Sequence, residues 1–222
     1  MIEFVVASIL FAIWGSPASA RLCASGKPPA SIKLDVQLGK VTTNNGHSSL
    51  QLGTKFGLHG KLARKRGWIT RGLTKTELER RLGIRIEYRK LSGNKVCASL
   101  KNIELSIGYE RFRVYVAREH RPGSCEYRTT MNHEKTHVRI YRRTLEKFVP
   151  RLKRRLGQAA KRQKPIVAAS AERAQKIYLR QIEKDLQLIL NEMNRTLDAK
   201  NKRIDTAKNY RREQALCPIK RR

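Results

Sequence analysis

The chain has 222 residues, a length that favours one domain with a single sizeable core over several domains. Its 49 Lys and Arg residues against 18 Asp and Glu give a formal net charge of +31. This charge predicts either a well-solvated basic surface or attraction to anionic partners, such as nucleic acid, acidic lipid, anionic envelope polymers or acidic substrates. No RRM, KH or zinc-finger signature is present, which disfavours nucleic-acid recognition as the primary role.

The first 20 residues have the pattern of a secretory signal peptide. An apolar run from Phe4 to Trp14 is too short for a comfortable membrane span, and Ala18-Ser19-Ala20 fits the small-x-small cleavage pattern. The run departs from the usual pattern in having Glu3 and no basic residue before it. We therefore expect residues 1–20 to be a signal peptide, with a short uncleaved anchor as the alternative. Residues 21–222 are expected to form a single α+β domain, exported to the periplasm or secreted.

Four cysteines remain after such a cleavage, namely Cys23, Cys97, Cys125 and Cys217. In an exported protein this number favours two disulfides, for which three pairings are possible. We expect Cys97 to pair with Cys125 and Cys23 with Cys217. No two cysteines have C-x-x-C spacing, which disfavours a cysteine metal site.

The N-terminal half predicts strands and one short helix. Alternation of apolar residues from Ile32 to Leu38 indicates a half-buried strand. Asn44-Asn45-Gly46 is a turn signal, so a hairpin is expected between Val41 and Leu50. Thr74-Lys75-Thr76-Glu77 has capping-box spacing and predicts a short helix that ends at Gly83.

Further alternation predicts the main β region. Ile84, Ile86 and Tyr88 indicate a strand that ends at a turn. The clearest strand signal runs from Val96 to Ala117. Its apolar residues are at odd positions from Ile103 to Tyr109 and at even positions from Phe112 onward. This change near Glu110-Arg111 implies either a bulge or a tight turn between two strands.

A helix follows Cys125. Its apolar residues recur at steps of three, four and seven and form one stripe, made of Met131, Val138, Tyr141, Leu145, Phe148 and Leu152. Glu134 lies in the middle of this stripe, and His133 and His137 lie along its border. A carboxylate at a buried position needs a partner. Pro150 is expected to kink or end the helix.

From about residue 165 the C-terminal region is predicted to be helical, as one long amphipathic helix or two consecutive ones. Its stripe consists of Leu179, Ile182, Leu186, Ile189, Met193 and Leu197. Packing against the core is favoured over binding a partner. The fold class is therefore α+β: a small antiparallel sheet packed on the first helix, with a long C-terminal helix, in a zincin-like arrangement.

The first helix carries His133-Glu134-Lys135-Thr136-His137, which reads H-E-x-x-H. Residues four apart share a helix face, so both imidazoles can reach one metal ion, and Glu134 then lies where it can activate a water. A catalytic zinc needs a third protein ligand, and several residues could supply it: Glu172, Glu183, Glu192, Asp198, Asp205 and His120.

The run Gly123-Ser124-Cys125-Glu126-Tyr127 before the motif, and Cys97 before the strand run, resemble a family of bacterial secreted proteins of unknown function that are predicted to be zinc-dependent proteases. The resemblance covers roughly residues 84–152. It implies zinc ligation by His133 and His137 and a general base at Glu134. The family's third ligand is a His after an Asp and a Thr; here Asp205-Thr206 is followed by no His.

The sequence thus predicts an exported zinc-dependent peptidase that uses Zn²⁺ to hydrolyse peptide bonds in a peptide or protein substrate. The alternative from another class is a non-catalytic basic envelope protein that binds anionic lipid, polysaccharide or another protein. The sequence leaves the oligomeric state open.

Overall fold

The computed structural model describes Cys23, residues 29–55 and residues 69–217, so the expected signal segment 1–20 lies outside the described residues. This part of the chain is α+β, with one mixed five-stranded sheet and long helices. In chain order the elements are β1 (Ser31–Asn44), α1 (Ser49–Lys55), β2 (Gly72–Lys75), β3 (Leu78–Lys90), β4 (Val96–Val116), α2 (Cys125–Arg162), β5 (Ile166–Ala168), α3 (Ala171–Ile204) and α4 (Ala207–Gln214).

The sheet is organised around β4, a strand of 21 residues with which every other strand pairs. β1 runs parallel to it, whereas β2, β3 and β5 are antiparallel. The expectation of an antiparallel sheet is therefore wrong for β1. The predicted strand from Ile32 to Leu38 is confirmed, but the hairpin after it is wrong, because β1 continues to Asn44 and leads into α1. The Asn45 amide donates instead to the carbonyls of Val116 and Ala117 at the end of β4.

The short helix predicted from Thr74 to Gly83 is also wrong. These residues form β2 and the start of β3, which pair antiparallel with one continuous stretch of β4. The hydroxyl of Thr74, expected to cap a helix, donates to Glu134 on α2. Pairing with β4 thus overrides the local capping signal, as tertiary contacts commonly override propensity.

β4 is a single strand through the parity change, so the alternative of a tight turn at Glu110-Arg111 is wrong. Both of these residues are exposed, and the buried rings of Tyr109 and Phe112 on either side have centroids 5.0 Å apart. The interruption lets the strand turn large side chains from both of its halves into the same core.

α2 is 38 residues long and begins at Cys125, where the Ser124 side chain accepts a hydrogen bond from the backbone N–H of Tyr127. The helix continues beyond Pro150 to Arg162, so the expectation that it could end at the proline is wrong. Proline removes one helical hydrogen bond. Phe148 and Leu152 are buried on either side of it, and their packing holds the helix together there.

The expectation of helix from about residue 165 is wrong for Ile166–Ala168, which form β5. From Ala171 onward, the two consecutive helices α3 and α4 confirm one of the two expected arrangements. The chain breaks between them at Asp205 and Thr206, and the Thr206 side chain caps α4 by accepting from the N–H of Asn209. The α3 stripe packs into the same core as α2 and the sheet, as expected. Only Leu179 in that stripe is partly exposed.

The disulfides join Cys23 to Cys97 and Cys125 to Cys217, so both predicted pairings are wrong. The second disulfide connects the first residue of α2 to the segment just after α4, with the two Cα atoms 5.5 Å apart. None of the helices in the described ranges is long and apolar enough to cross a membrane.

Candidate metal centre

α2 presents His133, Glu134 and His137 toward the interior, as the apolar stripe predicted. His133 and Glu134 are each only 4% exposed. The break between α3 and α4 lies opposite them and brings in Asp205. These elements place two imidazoles and a carboxylate together at the edge of the core.

One atom from each of three residues forms a small triangle. Nε2 of His133 lies 3.2 Å from Nε2 of His137. Oδ1 of Asp205 lies 3.1 Å from Nε2 of His133 and 3.1 Å from Nε2 of His137. The three residues form the group that could hold a metal ion in the described part of the chain.

The hydrogen bonds of the two Nδ1 atoms determine whether a positive charge is needed between the three atoms of the triangle. Nδ1 of His133 lies 3.0 Å from the Glu213 carboxylate, and Nδ1 of His137 lies 2.9 Å from Oδ1 of Asn201. Both partners are acceptors, so each Nδ1 carries the proton, and in a neutral ring Nε2 has a bare lone pair. Two lone pairs and a carboxylate oxygen then converge, which requires a positive charge between them: extra protons on the rings or a metal cation.

The dimensions of the triangle fit a metal. Ligand distances of about 2.0–2.1 Å in a tetrahedral zinc site place the ligand atoms about 3.3–3.4 Å from one another. The observed edges of 3.1 and 3.2 Å are close to this value. A tetrahedral metal ion held by three protein ligands would have its fourth position open to a water molecule.

A second layer of polar contacts holds the ligands. The Tyr210 hydroxyl donates to Oδ1 of Asp205 at 2.9 Å, and the Tyr210 ring packs against His133 with centroids 4.8 Å apart. The Asn209 amide donates to the Glu213 oxygen that does not contact His133. Contacts of this kind fix the tautomer and orientation of metal-binding histidines.

Glu134 lies between the two histidines and the edge of the sheet. The Thr74 hydroxyl donates to its Oε2 at 2.8 Å. A Cβ atom at Gly72 would lie 2.5 Å from its Oε1, so the carboxylate occupies space that only a glycine leaves open. Burial raises the pKa of Glu134, and His137, Thr74 and His133 oppose that rise without cancelling it.

The charges of the triangle depend on one another. Burial lowers the pKa of His137, but hydrogen bonds to Asp205 and Asn201 outweigh it and raise the pKa to about 9. The pKa of His133 is likewise raised, since Asp205, Glu134 and Glu213 outweigh its burial. Burial raises the pKa of Asp205, yet its hydrogen bonds from the two histidines lower it overall. Without a metal, protons therefore occupy the triangle.

The centre opens into a cleft of about 650 Å³. One wall is the segment from Ile69 to Thr74, which includes the start of β2. Most of the other lining residues belong to α2, the end of α3, and α4, including Tyr210 and Arg211.

Of the carboxylates and the histidine that the sequence left open as a third ligand, Asp205 is the one brought to the centre. Glu192 pairs with Arg151, and Glu172, Glu183 and Asp198 are on or near the exposed side of α3. His120 lines the cleft but is not in the ligand group. No sequence pattern assigned a role at this centre to Thr74, Asn201, Tyr210 or Glu213. For the C-terminal residues, the available signal was the break at Asp205-Thr206, where an N-cap restarts a helix.

Compared with known proteins, the chain matches no protein-family model, and no curated protein or solved structure is significantly similar to it.

Proposed function

We propose that this protein is an exported zinc-dependent peptidase with a zincin-like centre, in which His133, His137 and Asp205 are the ligands and Glu134 is the general base. The triangle of ligand atoms, with edges of 3.1 and 3.2 Å, is the observation that carries the proposal. Two disulfides are consistent with an oxidising compartment.

Zinc is favoured over other metals by the donor set and by Glu134. Two imidazoles disfavour calcium and magnesium, which prefer oxygen ligands. Two histidines and a carboxylate could also form one face of an iron site. A buried Glu adjacent in sequence to the first ligand is what hydrolysis needs, and it favours zinc.

Zinc supplies Lewis acidity at such a centre, which acidifies a water and polarises a carbonyl group. Glu134 accepts the proton of the attacking water at its carboxylate and delivers it to the leaving amine of the cleaved peptide bond. Thr74 fixes the carboxylate for this transfer. Because burial raises the pKa of Glu134, the group is a stronger base than an exposed glutamate.

A peptide is the substrate that the sheet edge favours. The backbone carbonyl of Arg71 accepts a hydrogen bond from the N–H of Ala117. In the antiparallel register, the backbone N–H and C=O groups of Leu73 and Lys75 therefore also point toward β4. The backbone groups of Gly72 and Thr74 then point away from β4, along the wall of the cleft. An extended peptide could add to this edge as a further strand.

Metal analysis of the purified protein tests the site. We expect about one zinc per chain, lost when His133 and His137 are both changed to Ala. Asp205→Ala should lower zinc affinity by at least about a hundredfold. Asp198→Asn, a change to an exposed carboxylate about two helical turns before Asp205, should leave the affinity unchanged. Stoichiometric iron, or zinc retained in the double histidine variant, would contradict the proposal.

The chemistry is tested separately with Glu134→Gln, which keeps the shape of the side chain but removes the base. This variant should retain zinc and lose peptide hydrolysis, measured by mass spectrometry on a peptide mixture. Cleavage at the wild-type rate would show that the mechanism is wrong even if the metal site is correct.

A further inference from the structure

α2 carries a row of exposed basic side chains on the face that points away from the core: Lys135, Arg139, Arg143, Lys147, Arg154 and Lys161. We call this row the basic ridge. At 100° per residue its members fall within a sector of about 120°, and it extends about 40 Å along the helix axis.

One exposed carboxylate, Glu146, lies in the same sector of α2, but no ion pair among the described residues joins it to a member of the basic ridge. Arg151, Arg155 and Arg162, on the adjoining face, pair with Glu192 or Asp185 on α3. No member of the basic ridge forms an ion pair with any residue that the structure describes. Of the 18 Asp and Glu residues, only Glu3 lies outside the described ranges, so the remaining segments have almost no acid to offer.

The spacing of the ridge is unfavourable for an isolated helix. Lys135, Arg139, Arg143 and Lys147 follow one another at steps of four, and like charges at this spacing destabilise a helix. A surface of alternating positive and negative side chains would keep the protein equally soluble. Such alternation occurs on β3 and β4, where Arg85 pairs with Glu104 and Lys101 with Glu87. A partner with negative charges along one line would relieve the repulsion.

The composition of the ridge selects the kind of partner. Among the described residues, the exposed large hydrophobic side chains all lie off α2, so the ridge has no apolar anchor for a lipid surface. It also has no aromatic side chain on which a base could stack. We propose that the basic ridge binds a linear phosphate polymer without bases, whose closely spaced charges can pair with basic side chains that lie about 6 Å apart along the helix.

The test is binding of long-chain inorganic polyphosphate to the full chain, measured by calorimetry at several sodium chloride concentrations. In the ridge variant, Arg139, Arg143 and Lys147 become Gln. In the control variant, Arg173, Lys176 and Arg180, exposed on α3, become Gln, which removes the same charge. Circular dichroism establishes that both variants keep their helices.

The ridge variant should bind at least tenfold more weakly, and its slope of log affinity against log salt should fall by about two, from three lost contacts at about 0.7 each. The control should change affinity by less than about threefold. Equal losses in both variants would mean that net charge alone attracts the polymer, and would overturn the proposal.

Three comparison ligands separate the proposed partner from a lipid surface, from nucleic acid and from an anionic polysaccharide. Vesicles of phosphatidylcholine and phosphatidylserine in equal parts, oligothymidylate and alginate should each bind more weakly than polyphosphate of equal charge. Tighter binding of any of them would overturn the choice of partner. Hydrolysis plays no part in these measurements, so their outcome is independent of the proposed peptidase activity.

Discussion

The Glu213 carboxylate lies 3.0 Å from Nδ1 of His133, although the two residues are 80 positions apart in the chain. It accepts a hydrogen bond from the protonated Nδ1 and so leaves Nε2 directed at the triangle. The α4 residue thereby sets the tautomer of a ligand on α2.

Changing Glu213 to Gln should therefore weaken metal binding. The amide can no longer offer a charged acceptor to Nδ1, and loss of such an outer contact typically lowers metal affinity about 10–100-fold. Competition with a chromophoric chelator measures the change. Glu183→Gln, an exposed site on α3, is the matched control; an equal effect there would contradict the role of Glu213.

The Cys125–Cys217 disulfide should support the metal centre. α4 has no buried residues, so apolar packing does little to hold it, yet it carries Tyr210 and Glu213. Changing Cys125 and Cys217 to Ser should lower metal affinity at least about tenfold. Without the disulfide, α4 has to become ordered when the metal binds, and the entropy lost in that ordering weakens binding.

The Cys23–Cys97 disulfide is the control for that effect. Changing both of its cysteines to Ser should reduce the free energy of unfolding by about 2–5 kcal/mol, as removal of a native disulfide commonly does, without changing metal affinity. Thermal unfolding and chelator competition on both double variants separate the two effects. Equal metal affinity in the two variants would count against a specific role for the Cys125–Cys217 link.

Gly72→Ala should disturb the general base. The added methyl group would lie 2.5 Å from Oε1 of Glu134 and 2.6 Å from Cγ2 of Thr130, so either β2 or the carboxylate has to move. We expect a loss of about 1–3 kcal/mol in stability and at least about a tenfold loss of peptidase activity, with zinc retained.

Gly83→Ala, in β3, is a suitable comparison, because a Cβ there meets nothing within 4 Å. Its stability and activity should remain near the wild-type values. Unchanged activity in Gly72→Ala would show that the position of Glu134 does not depend on the close approach of β2.

The metal-free protein should lose stability as the pH rises. His137 has a pKa of about 9 in the fold against an ordinary value of 6.5, so it binds its proton more tightly in the folded state. The resulting stabilisation is complete below about pH 6.5 and is lost as the pH rises through about 9. Denaturant unfolding with a chelator at several pH values measures this decline.

Added zinc should remove much of that decline, because the cation replaces the protons between the ligand atoms and stabilises the folded state by binding it. A metal-free stability that rises between pH 6.5 and 9 would contradict the proposed sharing of charge among His133, His137 and Asp205.

Part of the fold and site could be predicted from the sequence because the relevant signals are local. The three- and four-residue spacing of apolar residues around Glu134 predicted a buried carboxylate, and the structure places it there. Alternation predicted the strands of Ile32–Leu38 and Val96–Ala117. The capping pattern at Thr74 was equally local, but it predicted a helix that does not form. The Thr74 hydroxyl instead donates a hydrogen bond to Glu134 on α2.

The sequence by itself determined the helix that carries His133, Glu134 and His137 and the inward direction of Glu134, because helical periodicity depends only on residues a few positions apart. Only the tertiary structure decided the parallel pairing of β1, the disulfide partners and the third member of the ligand group. Asp205 is 72 positions from His133 in the chain. Contacts over such separations depend on how whole elements pack, and the local helix break at Asp205-Thr206 does not by itself show which side chain the break brings to the two histidines.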